Sequence, residues 1–468
     1  MTNELDVLII GAGPAGLSAA LRAAELGART AIVTQHEVGG MAANDGPIPV
    51  RALAQAARLL REAQHLNRYG IAVSKPILDY PRLLARVREV VDDVVEHSTL
   101  RKQLERLGVD IYENAGVARF VDSNTVETAT GLTLHANKII LSAGGTSRQL
   151  PIPGFEYTST HSDAWALTSI PPSMIVVGAG ATGVQVASIF QAFGSQVHLF
   201  QAGPRILPTE DEDVSTAVAT AFRDSGMIVH ESFGAIDSFE KTPAGVRMNF
   251  SKDGAPDSVD ASLVIIAVGW VADTAGLNLH AAGIETNSRG YVQVDEFLQT
   301  SAPSIFAAGD ITGRLMLVPQ ATHDGFVAAS NAVRDRSMPL WDQTSPIGSF
   351  TEPEYAQVGL TETKARLTHD VIVTRVSFDE TARTIIDGRT IGFCKLIVDR
   401  STGTILGCHV VGERAVEIVQ VVAIAIAAGM RVDSLAKVPL SFPTYAGILG
   451  RAAYRAAQQI YPEFQSAR

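Results

Sequence analysis

The residues of this chain best placed to do chemistry are glycines at fixed spacing and one carboxylate. Gly11, Gly13 and Gly16 lie in Leu5-Asp-Val-Leu-Ile-Ile-Gly-Ala-Gly-Pro-Ala-Gly16, and Gly178, Gly180 and Gly183 repeat the spacing in Ser173-Met-Ile-Val-Val-Gly-Ala-Gly-Ala-Thr-Gly183. In each set the first glycine permits a tight turn, the second lets the backbone approach a pyrophosphate, and the third lets helix and strand pack closely. The pyrophosphate then meets free N–H groups at the positive end of a helix. Two such sets indicate two dinucleotide-binding domains. The carboxylate is Asp310, which closes Thr300-Ser-Ala-Pro-Ser-Ile-Phe-Ala-Ala-Gly-Asp310. It follows a buried strand and a glycine, so it should emerge at a strand's C-terminal end, where open α/β sheets bind ligands. Its structural alternative is an N-cap for the next helix.

Each glycine set must be presented by a strand, a turn and a helix, and the sequence supplies both units. After Gly16 comes the alanine-rich stretch Leu17 to Gly27 and a second strand at Ala31–Thr34; after Gly183 come Val184 to Gly194 and Val197–Phe200. The stretch from Leu53 to Leu107 carries Ala, Leu, Arg and Glu at helical spacing, and Ile139 to Thr146 reads as a strand ending in a glycine turn. Pro151, Pro153, Pro171 and Pro172 mark linkers around the second unit. From about Ser349 short β-rich runs, such as Phe393–Val398 and Ile405–Gly412, alternate with helices. The helix expected over Ala415 to Met430 is apolar enough to demand burial on most of its surface. The expected fold class is α/β with two Rossmann-like domains and a C-terminal α+β domain. The boundaries are 1–150 with 273–345, then 151–272, then 346–468.

At 468 residues the chain is too long for one ordinary core. Its 46% hydrophobic and 19% charged composition is that of a globular protein, and a net charge of −11 argues against nucleic acid or an anionic membrane as partner. No run reaches the roughly 18 apolar residues a membrane span needs, and the N-terminus enters a strand at once, so a cytoplasmic location is expected. The two cysteines, Cys394 and Cys408, read as buried small hydrophobes rather than as a disulfide. No metal site is expected.

Several longer segments carry a resemblance. Val38-Gly-Gly-Met-Ala-Ala-Asn-Asp-Gly-Pro-Ile-Pro-Val-Arg-Ala-Leu53 is similar to the GGTCLNxGCxPSK redox loop of the class I pyridine nucleotide-disulfide oxidoreductases (lipoamide dehydrogenase, glutathione reductase, mercuric reductase). Thr300–Asp310 resembles their TSxPxIxAxGD flavin signature. Phe350-Thr-Glu-Pro-Glu-Tyr-Ala-Gln-Val-Gly-Leu-Thr-Glu362 resembles the FTxPExAxVGLTE opening of their dimerisation domain, and Phe442-Pro-Thr-Tyr445 matches part of the closing HxxHPTxxE motif. The resemblance spans the chain. It implies FAD held by Gly11, Gly13, Gly16, Thr34, Gly40, Ala143, Gly144, Gly145 and Asp310, the last on the ribityl chain. It implies NAD(P)H held by Gly178, Gly180, Gly183, Gln201 and Gly269. It also implies a homodimer in which the C-terminal domain of one chain completes the active site of the other.

The departures from that pattern carry the functional expectation. Ala42 and Pro47 stand where the two redox cysteines should be, and Arg51 replaces the lysine; neither alanine nor proline can form the thiolate that exchange requires. Phe442 and Gly447 replace the His–Glu acid/base pair, and neither transfers a proton. Thr34 replaces the acidic residue expected on the adenosine ribose of FAD. Gln201 stands where glutamate would favour NADH and arginine NADPH, so it leaves both open; Arg205 nearby reads as a solvated or phosphate-side charge, and the absence of a basic cluster leans to NADH. Ala181 replaces a tyrosine that gates the nicotinamide side in relatives. Gln185 replaces a glutamate, keeping a hydrogen bond to Arg51 in reach without an ion pair. His323 and Asp324 are expected to start the helix beneath the flavin, with His323 a structural or capping residue before a catalytic one.

The expected activity is therefore an FAD-dependent NAD(P)H oxidoreductase that passes electrons from reduced flavin to a small non-disulfide acceptor such as a quinone. Met41, Ala42, Pro47, Arg51 and His323 would line the pocket, with Phe442 and Tyr445 of the partner chain. The alternatives are a soluble transhydrogenase or a biosynthetic flavoenzyme acting on a specialised metabolite, and a non-catalytic dimeric flavoprotein.

Overall fold

Leu5–Ile10 is apolar at every position but Asp6, the composition of a strand buried on both faces. In the computed structural model, which describes residues 5–97, 100–340 and 345–465, it is the central strand of a parallel sheet. The order is Asp110–Tyr112, Thr30–Val33, Leu5–Ile10, Thr133–Leu141, Ile305–Ala307. The strand order reverses between Leu5–Ile10 and Thr133–Leu141, so the crevice at their C-terminal ends is the switch point where such sheets bind ligands. Thr125–Thr128 and Ala118–Phe120 extend the sheet antiparallel from the first half of Thr133–Leu141. Helices Pro14–Glu25 and Val318–Arg334 share one core with the sheet, built on Val7, Ile9, Ile32, Ile140 and Phe306. They cross so closely that a Cβ on Gly325 would stand 2.0 Å from the Ala15 carbonyl oxygen. These elements belong to one compact unit, Met1–Leu53, Asp79–Gln149 and Gly269–Asp342.

The second unit comprises Ala54–Leu78, Leu150–Val268 and Gln343–Arg468. Its parallel sheet runs Ile228–Glu231, Gln196–Gln201, Ser173–Val177, Leu263–Ile266, and an antiparallel meander of Ala235–Thr242, Gly245–Lys252 and Ala255–Ala261 lies in the chain between Ile228–Glu231 and Leu263–Ile266. The C-terminal portion is a five-stranded antiparallel sheet in the order Ile347–Ser349, Tyr355–Gly359, Ile405–Val411, Phe393–Asp399, Val371–Ser377. Helices Ala415–Ala427 and Gly447–Ile460 bury Ile418, Val419, Val422, Leu449 and Ala453 in its core. The two Rossmann-like folds and the C-terminal α+β layer are thus those expected.

Three local expectations are corrected. The stretch from Leu53 to Leu107 is not continuously helical: helix Pro47–Ala63 gives way to a short turn at Leu66–Tyr69 and an irregular segment before helices Tyr80–His97 and Leu100–Arg106. Gly70 and Pro76 interrupt the periodicity there. Helix Ala415–Ala427 buries one face only, leaving Ile424 64% exposed. Helix Val318–Arg334 begins with Pro319 in its first turn, so His323 and Asp324 lie inside it rather than at its start. Cys394 and Cys408 are both free and fully buried, their sulfurs 3.9 Å apart on neighbouring strands.

Candidate functional site

The first glycine turn is shaped by two carbonyl oxygens. A Cβ on Gly11 would meet the Ser142 oxygen at 2.3 Å, and one on Gly16 would meet the Gly11 oxygen at 1.8 Å, so both positions exclude any side chain. Ser142 fixes the turn from the neighbouring strand, its hydroxyl donating to the carbonyls of Ile10 (2.9 Å) and Gly11 (3.1 Å). Gly13 differs. It is the N-cap of Pro14–Glu25, no side chain caps that helix, and a Cβ built on it meets nothing within 4 Å. Open space in front of uncapped N–H groups is a cradle that fits a pyrophosphate.

Asp310 follows Ile305–Ala307 in a single turn, Gly309–Thr312, opposite Gly145, whose built Cβ would lie 3.7 Å from the Asp310 Cβ. The next helix is capped by Leu317, so Asp310 is not its N-cap. Burial, reinforced by the charge of Asp324, pushes the Asp310 carboxyl up to about 6. A carboxyl so short of donors fits the hydroxyls of a ribityl chain. Asp324 is wholly buried and receives the Gln320 amide at 2.7 Å, and burial raises its carboxyl too. His323 is half-buried and its imidazole is pushed towards the neutral form by that burial. Thr34 follows strand Thr30–Val33 and is buried, its amide donating to the Tyr112 carbonyl at 2.9 Å. Ala143, Gly144 and Gly145 follow Thr133–Leu141 into the same crevice.

The loop after Thr34 returns to this crevice. Gly40 packs on the first turn, where its Cβ would meet Gly13 Cα at 2.8 Å, and Gly39 donates to the Ala12 carbonyl at 2.9 Å. Glu113 accepts the Val38 amide at 2.9 Å and is held by Arg101, which keeps its carboxyl below the usual range. From this anchor run the short helix Gly40–Asn44, with Met41 and Ala42 partly exposed, then Pro47 and Arg51, both exposed. Ser142 and Glu113 were not legible in the sequence, since neither stands in a motif.

The second unit repeats the turn: a Cβ on Gly178 would meet the Ala267 oxygen at 2.3 Å and one on Gly183 the Gly178 oxygen at 1.8 Å, while Gly180 is open. Gln201 Oε1 accepts the Ala179 amide at 3.0 Å. Arg205 is partly exposed. Its guanidinium donates to the carbonyls of Leu207, Pro208 and Glu210. Gln185 donates to Ala181, the first residue of its own helix. Gly269 lies in the first unit, its carbonyl accepting from Arg148. In the C-terminal portion Phe442 is 85% exposed. Tyr445 is instead half-buried against the core, with its hydroxyl donating to Asp387 at 2.8 Å. Gly447 opens the last long helix. Among the described residues no group of His, Cys, Asp and Glu is arranged to hold a metal ion, and no helix is long and apolar enough to cross a membrane.

Comparison with known proteins agrees with this arrangement. Residues 5–325 match the family described as pyridine nucleotide-disulphide oxidoreductase, and residues 345–453 match the dimerisation domain of that family. The dihydrolipoyl dehydrogenase of Zymomonas mobilis is 33% identical over 428 residues, covering 90% of this chain and 91% of that one. The dihydrolipoyl dehydrogenase of Chlorobaculum tepidum is 32% identical, covering 98% of both. Among solved structures, the Cu(II) complex of the HOCl-induced flavoprotein disulfide reductase RclA from Escherichia coli superposes with a TM-score of 0.85 at 26% identity, over 96% of this chain and 99% of that one.

Proposed function

Because the chain belongs to the pyridine nucleotide-disulphide oxidoreductase family, whose members use FAD and NAD(P)H, we propose that it is an NAD(P)H oxidoreductase whose electron acceptor is a small molecule other than a disulfide, such as a quinone. The observation that carries this reading is the loop anchored by Gly40 on Gly13. It starts at the pyrophosphate turn and presents Ala42 and Pro47, neither of which has a thiol. The chain's two thiols sit fully buried in the second unit's antiparallel sheet. Thiol–disulfide exchange needs an accessible thiolate.

Bound FAD would supply the acceptance of a hydride and the onward release of the electron pair. The chain's own residues bind and orient. The N–H groups after Gly13 hold one pyrophosphate and those after Gly180 the other, while Asp310 takes ribityl hydroxyls and Gln201 ribose hydroxyls. Met41, Ala42 and Pro47, with Phe442 of the partner chain, offer apolar and aromatic surface suited to a flat organic acceptor. None of these four can transfer a proton. That suits a quinone, whose reduced oxygens take protons from solvent: NAD(P)H, one proton and the quinone give NAD(P)+ and the hydroquinone. Retention of both glycine turns argues against a non-catalytic scaffold, which needs no coenzyme site.

The test is anaerobic reduction of the holoenzyme by NADH or NADPH, followed by mixing with quinones, NAD(P)+ analogues, lipoamide and glutathione disulfide. The expected result is bleaching of the flavin, reoxidation by quinones and no disulfide turnover. Multiple turnovers of a disulfide substrate would sink the proposal.

A further inference from the structure

The coenzyme end of the second unit carries charges whose partners are already chosen. Gln201 ends its strand and lies in register with Glu231, the last residue of the neighbouring parallel strand. Adjacent strands are about 4.8 Å apart and paired residues share a face, so a carboxylate stands beside the amide. The Ala179 amide can only donate, which turns Gln201 Oε1 towards it at 3.0 Å and leaves the Gln201 NH2 group on the outer side. Gly203 leaves room there, since a side chain would bring its Cβ within 3.2 Å of Nε2.

Two cations are near, and both are already engaged. Arg205 spends both terminal nitrogens on the carbonyls of Leu207, Pro208 and Glu210, holding the loop after the strand. Arg223 is paired with Glu231 at 2.6 Å, and the other Glu231 oxygen accepts the Ile206 amide at 2.8 Å. A ribose whose 2′ position bears only a hydroxyl finds a donor in the Gln201 NH2 group. A 2′-phosphate adds roughly two negative charges, finds both guanidinium groups already engaged and faces Glu231.

We infer that the coenzyme of this oxidoreductase is NADH, selected by the Glu231–Arg223 pair beside Gln201 rather than by an acidic residue at the strand end itself. The inference rests on the proposed function and names its hydride donor. Glu231 acts here as a positioning residue: it occupies Arg223, and so denies that guanidinium to a phosphate.

The experiment is anaerobic flavin reduction of the holoenzyme with each coenzyme over a concentration series. NADH is expected to show at least a tenfold higher kcat/KM than NADPH. Glu231→Gln keeps an acceptor for Ile206 and releases Arg223, so it should raise kcat/KM for NADPH at least fivefold through KM, with kcat within twofold. Gln201→Arg should reverse the preference. Arg205→Ala should lower the melting temperature and leave the NADH:NADPH ratio within twofold. Equal or better reduction of the wild type by NADPH would overturn the inference while leaving the proposed function standing. So would a Glu231→Gln holoenzyme, folded by its melting curve, whose ratio does not move. Failure of both coenzymes to bleach the flavin would overturn the two together.

Discussion

Gly13 and Gly16 stand three positions apart and refuse alanine for opposite reasons. At Gly16 the obstacle is the protein itself, because a methyl group would overlap the Gly11 oxygen at 1.8 Å. At Gly13 the protein leaves the space empty, and φ −78° with ψ −173° is backbone that alanine adopts freely. Gly13→Ala should therefore fold with an unchanged apoprotein melting curve and lose most of its FAD, read from the ratio of flavin to protein absorbance. Gly16→Ala should not accumulate as folded protein. A Gly13→Ala chain that retains full flavin would show that the pyrophosphate does not lie at this turn. Asp310 gives a second test. Its folded-state pKa of about 6 lies above the ordinary aspartate value of 3.8, so the folded apoprotein holds a proton that the unfolded chain has lost between those values. Stability of the flavin-stripped chain should fall as pH rises from about 4 to about 6 and stay lowered above, by at most about 3 kcal/mol at 1.36 kcal/mol per unit. Asp310→Asn should flatten that part of the stability–pH curve while weakening FAD binding. A wild-type curve that rises over the same interval would contradict the buried carboxyl.

At the scale of elements, what could be read in the sequence was local. The strand–turn–helix units announce themselves because the two backbone overlaps that demand glycine occur within six residues, at Gly11 and Gly16 and again at Gly178 and Gly183. The start of helix Val318–Arg334 was also readable, since Pro319 favours the first turn, but His323 drew the boundary five residues too late. The one-sided burial of Ala415–Ala427 is only faintly marked, because Glu417 and Gln420 are the sole polar residues of its exposed face and the apolar Ile424 continues that face. The Lys395 cluster could not be read, because its partners lie far apart in sequence. Lys395 is buried on Phe393–Asp399 and meets Asp211 at 2.8 Å, Asp213 at 2.9 Å and Glu362 at 2.6 Å. Asp211 is also the N-cap of Glu212–Asp224, so one lysine joins the parallel sheet's helix to the C-terminal sheet. Lys395→Met strands these carboxylates and should cost about 3–5 kcal/mol in urea unfolding. The deficit should shrink as pH falls below about 4 and the carboxylates protonate. A deficit under 1 kcal/mol would mean that the cluster is solvated rather than a joint between the two layers.

For the whole molecule, the exposed apolar side chains of the C-terminal portion argue for a second copy. Ile391 (72%) and Ile424 (64%) are large apolar groups facing water in the single chain, and the segment that carries them matches a dimerisation domain over 345–453. A stable interface removes about 800 Å² per partner from water, with buried aromatic and aliphatic anchors at its centre. Sedimentation at micromolar concentration should therefore show a homodimer. Ile424→Asp replaces the large apolar group on the outer face of Ala415–Ala427 with a charge, and should shift that equilibrium towards monomer by tenfold or more without loss of FAD, because the Gly13 turn and Asp310 both belong to one chain. Phe442→Ala is expected to act differently. It projects rather than packs, so its loss should leave the dimer intact and lower kcat/KM for quinone while the rate of flavin reduction by NADH stays within twofold. If Phe442→Ala instead dissociates the dimer and leaves quinone turnover per chain unchanged, the phenylalanine is an interface anchor. The acceptor site must then be built from Met41, Ala42 and Pro47 without help from the partner.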